Sequence, residues 1–127
     1  MEIIRERFTQ QLKELEEDLL NMTHTAAKML QMSIESLKER NIEKAEEAIA
    51  LDDVVDDFNF KIEEKCLSLI ALQQPVAKDL RVIAAILKVI TDVERIGDYS
   101  VDIAKFSIRL AEKPLFKPLI DVPKMAD

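Results

Sequence analysis

The chain has 127 residues, enough for one domain with a sizeable core and too few for two. It is 48% hydrophobic and 34% charged, with one Gly, four Pro and no Trp, a balance that suits long helices rather than sheets. A net charge of −7 argues against sequence-independent binding to nucleic acid or anionic lipid, which need a basic surface, and makes a bound cation or a basic partner the complementary expectation. Cys66 stands alone, so neither an intrachain disulfide nor a thiolate metal cluster can form within one chain, and a reducing cytoplasm fits. The longest apolar run, Val82 to Leu87, is far short of a membrane span, and no signal peptide opens the chain. The expectation is a soluble cytoplasmic protein that meets a membrane only through partners.

Three long amphipathic segments follow one another. In the first, Phe8, Leu12, Leu15, Leu19, Met22, Ala26 and Met29 recur in alternating steps of four and three, which places them on one helix stripe. Lys38 and Arg40 close it where a helix dipole favours cations. Asn41 reads as the N-cap of the second helix, with Glu43 in its first turn. That helix carries Ala48, Leu51, Val55, Phe58, Ile62, Cys66 and Leu69 on one stripe and runs to about Gln73. Pro75 suits the first turn of a third helix and cannot comfortably continue the second.

The third segment is the most apolar. Leu80, Leu87, Val101 and Ile108 recur every seven residues, as do Ile83, Ile90, Gly97, Ala104 and Ala111. Val82, Ile86, Val89, Val93, Ile96 and Ile103 form a further row, so this helix is expected to pack against two neighbours. The fold expected is all-α: an antiparallel up-down-up three-helix bundle over residues 1–112, then an extended C-terminal tail over 113–127 with Pro114, Pro118 and Pro123.

Two acidic pairs interrupt this pattern. Position 94 belongs to the Leu80/Leu87/Val101/Ile108 ladder yet is Glu, and a charged carboxylate left unpaired in a core costs several kcal/mol. Asp98 lies one helical turn further on, and Gly97, the one glycine, implies a close approach or room for a ligand. Asp52 and Asp56, also a turn apart, border the stripe of the second helix. The two pairs stand at matching distances on either side of Pro75, so a helical hairpin brings them level. Two carboxylates about 5 Å apart repel by roughly 3 kcal/mol at an effective dielectric of 20. Crowding four of them calls for raised pKa values or a multivalent cation. Hard oxygen ligands suit magnesium, manganese, calcium or ferric iron. Asp53, Asp57 and Asp102 are candidates of second rank.

The competing reading makes Asp52/Asp56 a solvated surface pair and Glu94 the partner of Arg95, Arg81 or Lys28, in a structural helical-bundle adaptor without a metal site. His24 and Cys66 are assigned no chemistry. No catalytic residues are expected: there is no Glu-x-x-His motif, no glycine-rich phosphate loop and no assembled Ser/His/Asp set.

The run Gln74-Pro75-Val76-Ala77-Lys78-Asp79-Leu80-Arg81, followed by Glu94-Arg95-Ile96-Gly97-Asp98-Tyr99 and Ile103-Ala104, resembles the PhoU family of phosphate-uptake regulators, as does the tail Lys113-Pro114-Leu115 through Pro123-Lys124-Met125-Ala126. The resemblance implies three-helix bundles whose acidic-x-x-x-Asp motifs bind multinuclear iron or zinc clusters. It also implies a non-enzymatic negative regulator of the phosphate-starvation response that connects the ATPase of a phosphate ABC transporter to a sensor histidine kinase. By motif position the implied ligands are Asp52, Asp56, Glu94 and Asp98. The family usually has two bundles in tandem where this chain has one, so the tail is expected to lead toward a second bundle, or a homodimer to stand in for it.

Overall fold

Helix-favouring composition and sustained apolar periodicity give an all-α chain. A computed structural model describes residues 2–73 and 75–112, so the expected tail over 113–127 lies outside the described residues. The helices are α1 (Glu2–Glu39), α2 (Ile42–Ala50), α3 (Asp52–Gln73) and α4 (Ala77–Glu112). No helix is long and apolar enough to cross a membrane, among the described residues.

The apolar stripe of α1 is where the sequence places it. Phe8, Leu15, Met22, Ala26 and Met29 are buried, with Leu12 and Leu19 packed half-buried beside them. After α1, Arg40 takes a left-handed backbone (φ 54), a helix-ending conformation that usually falls to glycine and costs a residue with a Cβ roughly 1 kcal/mol. Asn41 then caps α2: its side chain accepts from the Lys44 N–H at 3.1 Å, satisfying one of the orphan donors of a helix start.

The second expected helix is divided. Leu51 separates α2 from α3 by one residue, although its backbone stays right-handed (φ −69, ψ −16) and the N–H groups of Val54 and Val55 still bond to its carbonyl. The apolar stripe passes through the break, with Ala48, Val55, Ile62, Cys66 and Leu69 buried. The consequence for the site is that Asp52 and Asp53 occupy the first turn of α3, at the positive end of a helix dipole. The break before α4 also differs in detail from expectation: Pro75 precedes the helix rather than entering its first turn, and the Leu80 N–H bonds back to the Val76 carbonyl.

The core of α4 runs along Ile83, Ile86, Ile90, Val93, Gly97, Ser100, Ala104 and Ser107, all buried. Two of the expected ladders sit elsewhere. Leu87, Val101 and Ile108 are half-buried and Leu80 is exposed, so their shared line is a margin of the core. Val82, Val89 and Ile96 lie exposed on the opposite margin.

Three cross-helix contacts position the rods. Arg5, near the start of α1, pairs with the buried carboxylate of Asp79 in the first turn of α4. Ser33 Oγ donates to the Ser100 carbonyl at 2.7 Å across α1 and α4. On the α3 side, Lys65 Nζ bonds to Asp18 at 3.1 Å, with Lys61 near the same carboxylate. Small residues (Ala45, Ala48 and Ala104) let α2 pack closely on α4, whereas large side chains such as Leu15, Met22, Ile62 and Ile83 fill the rest of the core.

Candidate metal centre

The carboxylates of the site come from the start of α3 and the middle of α4. Asp52 is half-buried because it follows Leu51, which packs against the core, and because Gly97 of α4 leaves space beside it. A Cβ placed on Gly97 would lie 3.4 Å from Asp52 Oδ1, with Val55 and Met29 next nearest. The close approach at Gly97 is therefore made by a carboxylate, which an alanine methyl there would meet at ordinary contact distance. Asp52 Oδ1 is shielded from solvent and has no hydrogen-bond partner.

Glu94 sits on the same margin of α4, half-buried between Leu87 and Val101. It is thus at the border of the core rather than within it, and its Oε2 is likewise shielded and unpartnered. No Arg or Lys pairs with it among the described residues, so the alternative ion pair with Arg95, Arg81 or Lys28 does not form there. Burial first, then proximity to Asp56, with which it can share a proton, and the charges of Asp98 and Asp52 push its carboxyl up to about 8.

Asp52 is raised from the ordinary carboxylate range for related reasons: burial, then the charges of Asp56, Asp98 and Asp53, opposed in part by Lys105. Asp52, Asp56, Glu94 and Asp98 thus act on one another electrostatically, with Asp56 and Asp98 on the solvent side. Of the second-rank residues, Asp53 acts on Asp52, whereas Asp57 and Asp102 are exposed and do not enter the shifts of either half-buried acid. Among the described residues, no three His, Cys, Asp or Glu side chains converge into a ready-made metal cage. The donor set still fits a hard cation: all oxygen, multiply anionic, with two buried oxygens whose bonding is incomplete.

Two features were not anticipated from sequence. Lys105 supplies the positive charge near Asp52, and its signal was available, since it lies seven residues after Asp98 and so shares its face of α4. The start of α3 at Asp52 had no such signal. Elsewhere, His24 is exposed, and Cys66 is a buried thiol pushed up to about 11 by burial and by Glu63, which makes it inert.

The family model for the PhoU domain matches residues 19–107, which includes both acidic pairs. This chain belongs to the PhoU family. Its relatives include proteins named phosphate-specific transport system accessory protein PhoU homolog from Aquifex aeolicus, 38% identical over 92% of this chain and 53% of the relative. The Clostridium acetobutylicum homolog is 45% identical over 84% of this chain and 49% of its own length. That from Deinococcus radiodurans is 38% identical over 96% and 57%. The chain therefore spans about half the length of the curated PhoU relatives it matches.

Proposed function

We propose that this chain is a metal-binding module of a phosphate-uptake regulator. The observation that carries the proposal is the pair of shielded, unpartnered oxygens, Asp52 Oδ1 and Glu94 Oε2, on neighbouring helices of an acidic cluster. Asp52, Asp56, Glu94 and Asp98 would hold the cation, with Asp53, Asp57 and Asp102 in support. Iron or zinc in a multinuclear cluster is the family's implied cargo, and magnesium or manganese suit the same oxygen donors. The bound ion would neutralise the cluster and tie α3 to α4. The protein's own residues then set how firmly it does so: Gly97 leaves Asp52 room to turn, and Lys105 moderates the net charge.

The names of the relatives support a place in phosphate-specific transport. In this reading the protein acts in the cytoplasm without enzymatic activity, as a negative regulator of the phosphate-starvation response. It would link the ATPase of a phosphate ABC transporter to a sensor histidine kinase, reach the membrane only through them, and bind no nucleic acid. A homodimer would supply a second bundle. The rods would run up, down and up over residues 1–112, which the pairings Arg5–Asp79, Ser33–Ser100 and Asp18–Lys65 support.

Metal analysis of protein purified without chelator tests the reading, with Asp52→Ala/Glu94→Ala as the comparison. Wild type should carry metal and the variant little; equal content in both would sink the proposal. The absence of a ready-made cage among the described residues favours the second reading, a plain helical adaptor. That reading requires chelators to leave the melting temperature unchanged and Glu94→Gln to leave partner binding intact.

A further inference from the structure

The margin of α4 opposite Glu94 carries an apolar row that the bundle covers only in part. Val82, Val89 and Ile96 recur every seven residues, each 38–39% exposed, and half-buried Ile103 continues the line. Ala85, Tyr99 and Phe106 fall between or beyond them with the three-and-four spacing of a coiled-coil seam, all exposed. Alongside run three exposed cations at the same interval, Arg81, Lys88 and Arg95, none of them in an ion pair among the described residues, before the row ends on exposed Asp102. At a rise of 1.5 Å per residue these cations stand about 10 Å apart. On a chain of net charge −7, a row of free cations beside an apolar stripe is a local reversal of sign.

We infer that this face of α4 docks an acidic amphipathic helix of a partner protein, with apolar residues on Val82, Val89 and Ile96 and carboxylates opposite Arg81, Lys88 and Arg95. Charge decides the occupant. A second copy of α4 laid parallel on the same seam would bring its own cations against these. One laid antiparallel would gain Arg81 against Asp102 but still set Lys88 against Arg95, so charge gives a second copy no net advantage where an acidic helix gains at all three cations. An anionic membrane would attract the row but be repelled by the rest of the molecule. The apolar residues are β-branched and more than half covered, a shallow ridge shaped for a neighbouring helix. Asp92 lies exposed within the seam and sets a register, since the partner needs a basic or polar residue opposite it.

The inference names the chemistry of a partner for the regulatory module above and rests on that reading only for the partner's role. Ile96 lies about 160° around α4 from Glu94 at 100° per residue, so Ile96→Asp tests docking apart from metal binding. The experiment uses two synthetic amphipathic peptides of about four heptads, identical but for Glu or Lys at the positions flanking a Leu seam. The full chain should bind the Glu peptide at least about tenfold more tightly than the Lys peptide, with an affinity that falls as salt rises. Arg81→Glu/Lys88→Glu/Arg95→Glu should reverse that preference, Ile96→Asp should weaken both, and Asp52→Ala/Glu94→Ala should change neither. Circular dichroism confirms that each variant folds. Equal binding of the two peptides, or a preference indifferent to the charge reversal, overturns the inference. So does a sedimenting dimer that Ile96→Asp dissociates, or flotation with phosphatidylserine vesicles that Ile96→Asp abolishes.

Discussion

Two acidic residues of α4, Asp79 and Glu94, are held in opposite ways. Asp79 is the more deeply buried, yet Arg5 of α1 reaches it and supplies a charge-assisted bond. Glu94 is less buried but faces Asp56, Asp98 and Asp52, with no cation paired to it among the described residues. The difference teaches that burial alone does not mark a functional acid. Asp79's ion pair completes itself within the fold, whereas the burial of Glu94 has no cation to offset it among the described residues.

The comparison can be broken most decisively with metal. At a concentration about one hundred times its Kd, a cation that binds only the folded chain should stabilise it by about 2.7 kcal/mol. Asp52→Asn/Glu94→Gln should lose that gain while leaving Asp79 and Arg5 undisturbed. A thermal melt with and without chelator reads it, and an equal gain in the variant would remove the site.

At the other end, Asp79→Ala should destabilise the chain by about 1–2 kcal/mol, since it deletes a buried charge-assisted hydrogen bond and an acid in the first turn of a helix. Glu94→Gln in metal-free protein should do the reverse and raise stability at pH 8. Urea denaturation of the two variants side by side would show opposite signs if the contrast is right.

A smaller effect follows from titration. Folded Glu94 keeps its proton up to about 8, whereas an unfolded glutamate releases it near 4.5. The folded chain therefore binds the extra proton between those values, and metal-free stability should fall as pH rises across that window. Because Glu94 is only half-buried, the loss should be about 1 kcal/mol. Glu94→Gln should flatten the profile. A wild-type curve that is already flat would mean the acids are too well solvated to need a cation.

Gly97→Ala sharpens the comparison at the smallest scale. Alanine favours the helix by up to about 1 kcal/mol, and its methyl would meet Asp52 Oδ1 at ordinary contact distance, so the fold should survive with equal or slightly higher stability. The same methyl restricts the turning of Asp52, so the stabilisation by metal should shrink. Unaltered metal response would assign Gly97 to packing alone.

Much of this was legible from residue order. The α1 stripe, the Asn41 cap, the break around Pro75 and the burial of Cys66 all follow from period, turn chemistry and apolar content, which are local. That the four acids lie near one another was legible, because a four-residue spacing on each helix and a fold-back between them leave little freedom. The division at Leu51 was not, since no Gly or Pro signals it and the apolar ladder runs through it unbroken. Nor was the ranking of α4's ladders. Three apolar rows compete for one core, and sequence cannot say which row faces the neighbours.

Periodicity by itself therefore determined that the chain is helical, where it turns, and which acids share a face, because those properties depend on residues a few positions apart. Only the tertiary structure decided the rotation of α4. By pointing Gly97 and Ile90 inward it placed Glu94 at the border beside Asp52 and left Ile96 facing outward. Helix rotation is set by the summed fit of side chains from other helices, a quantity no single segment contains.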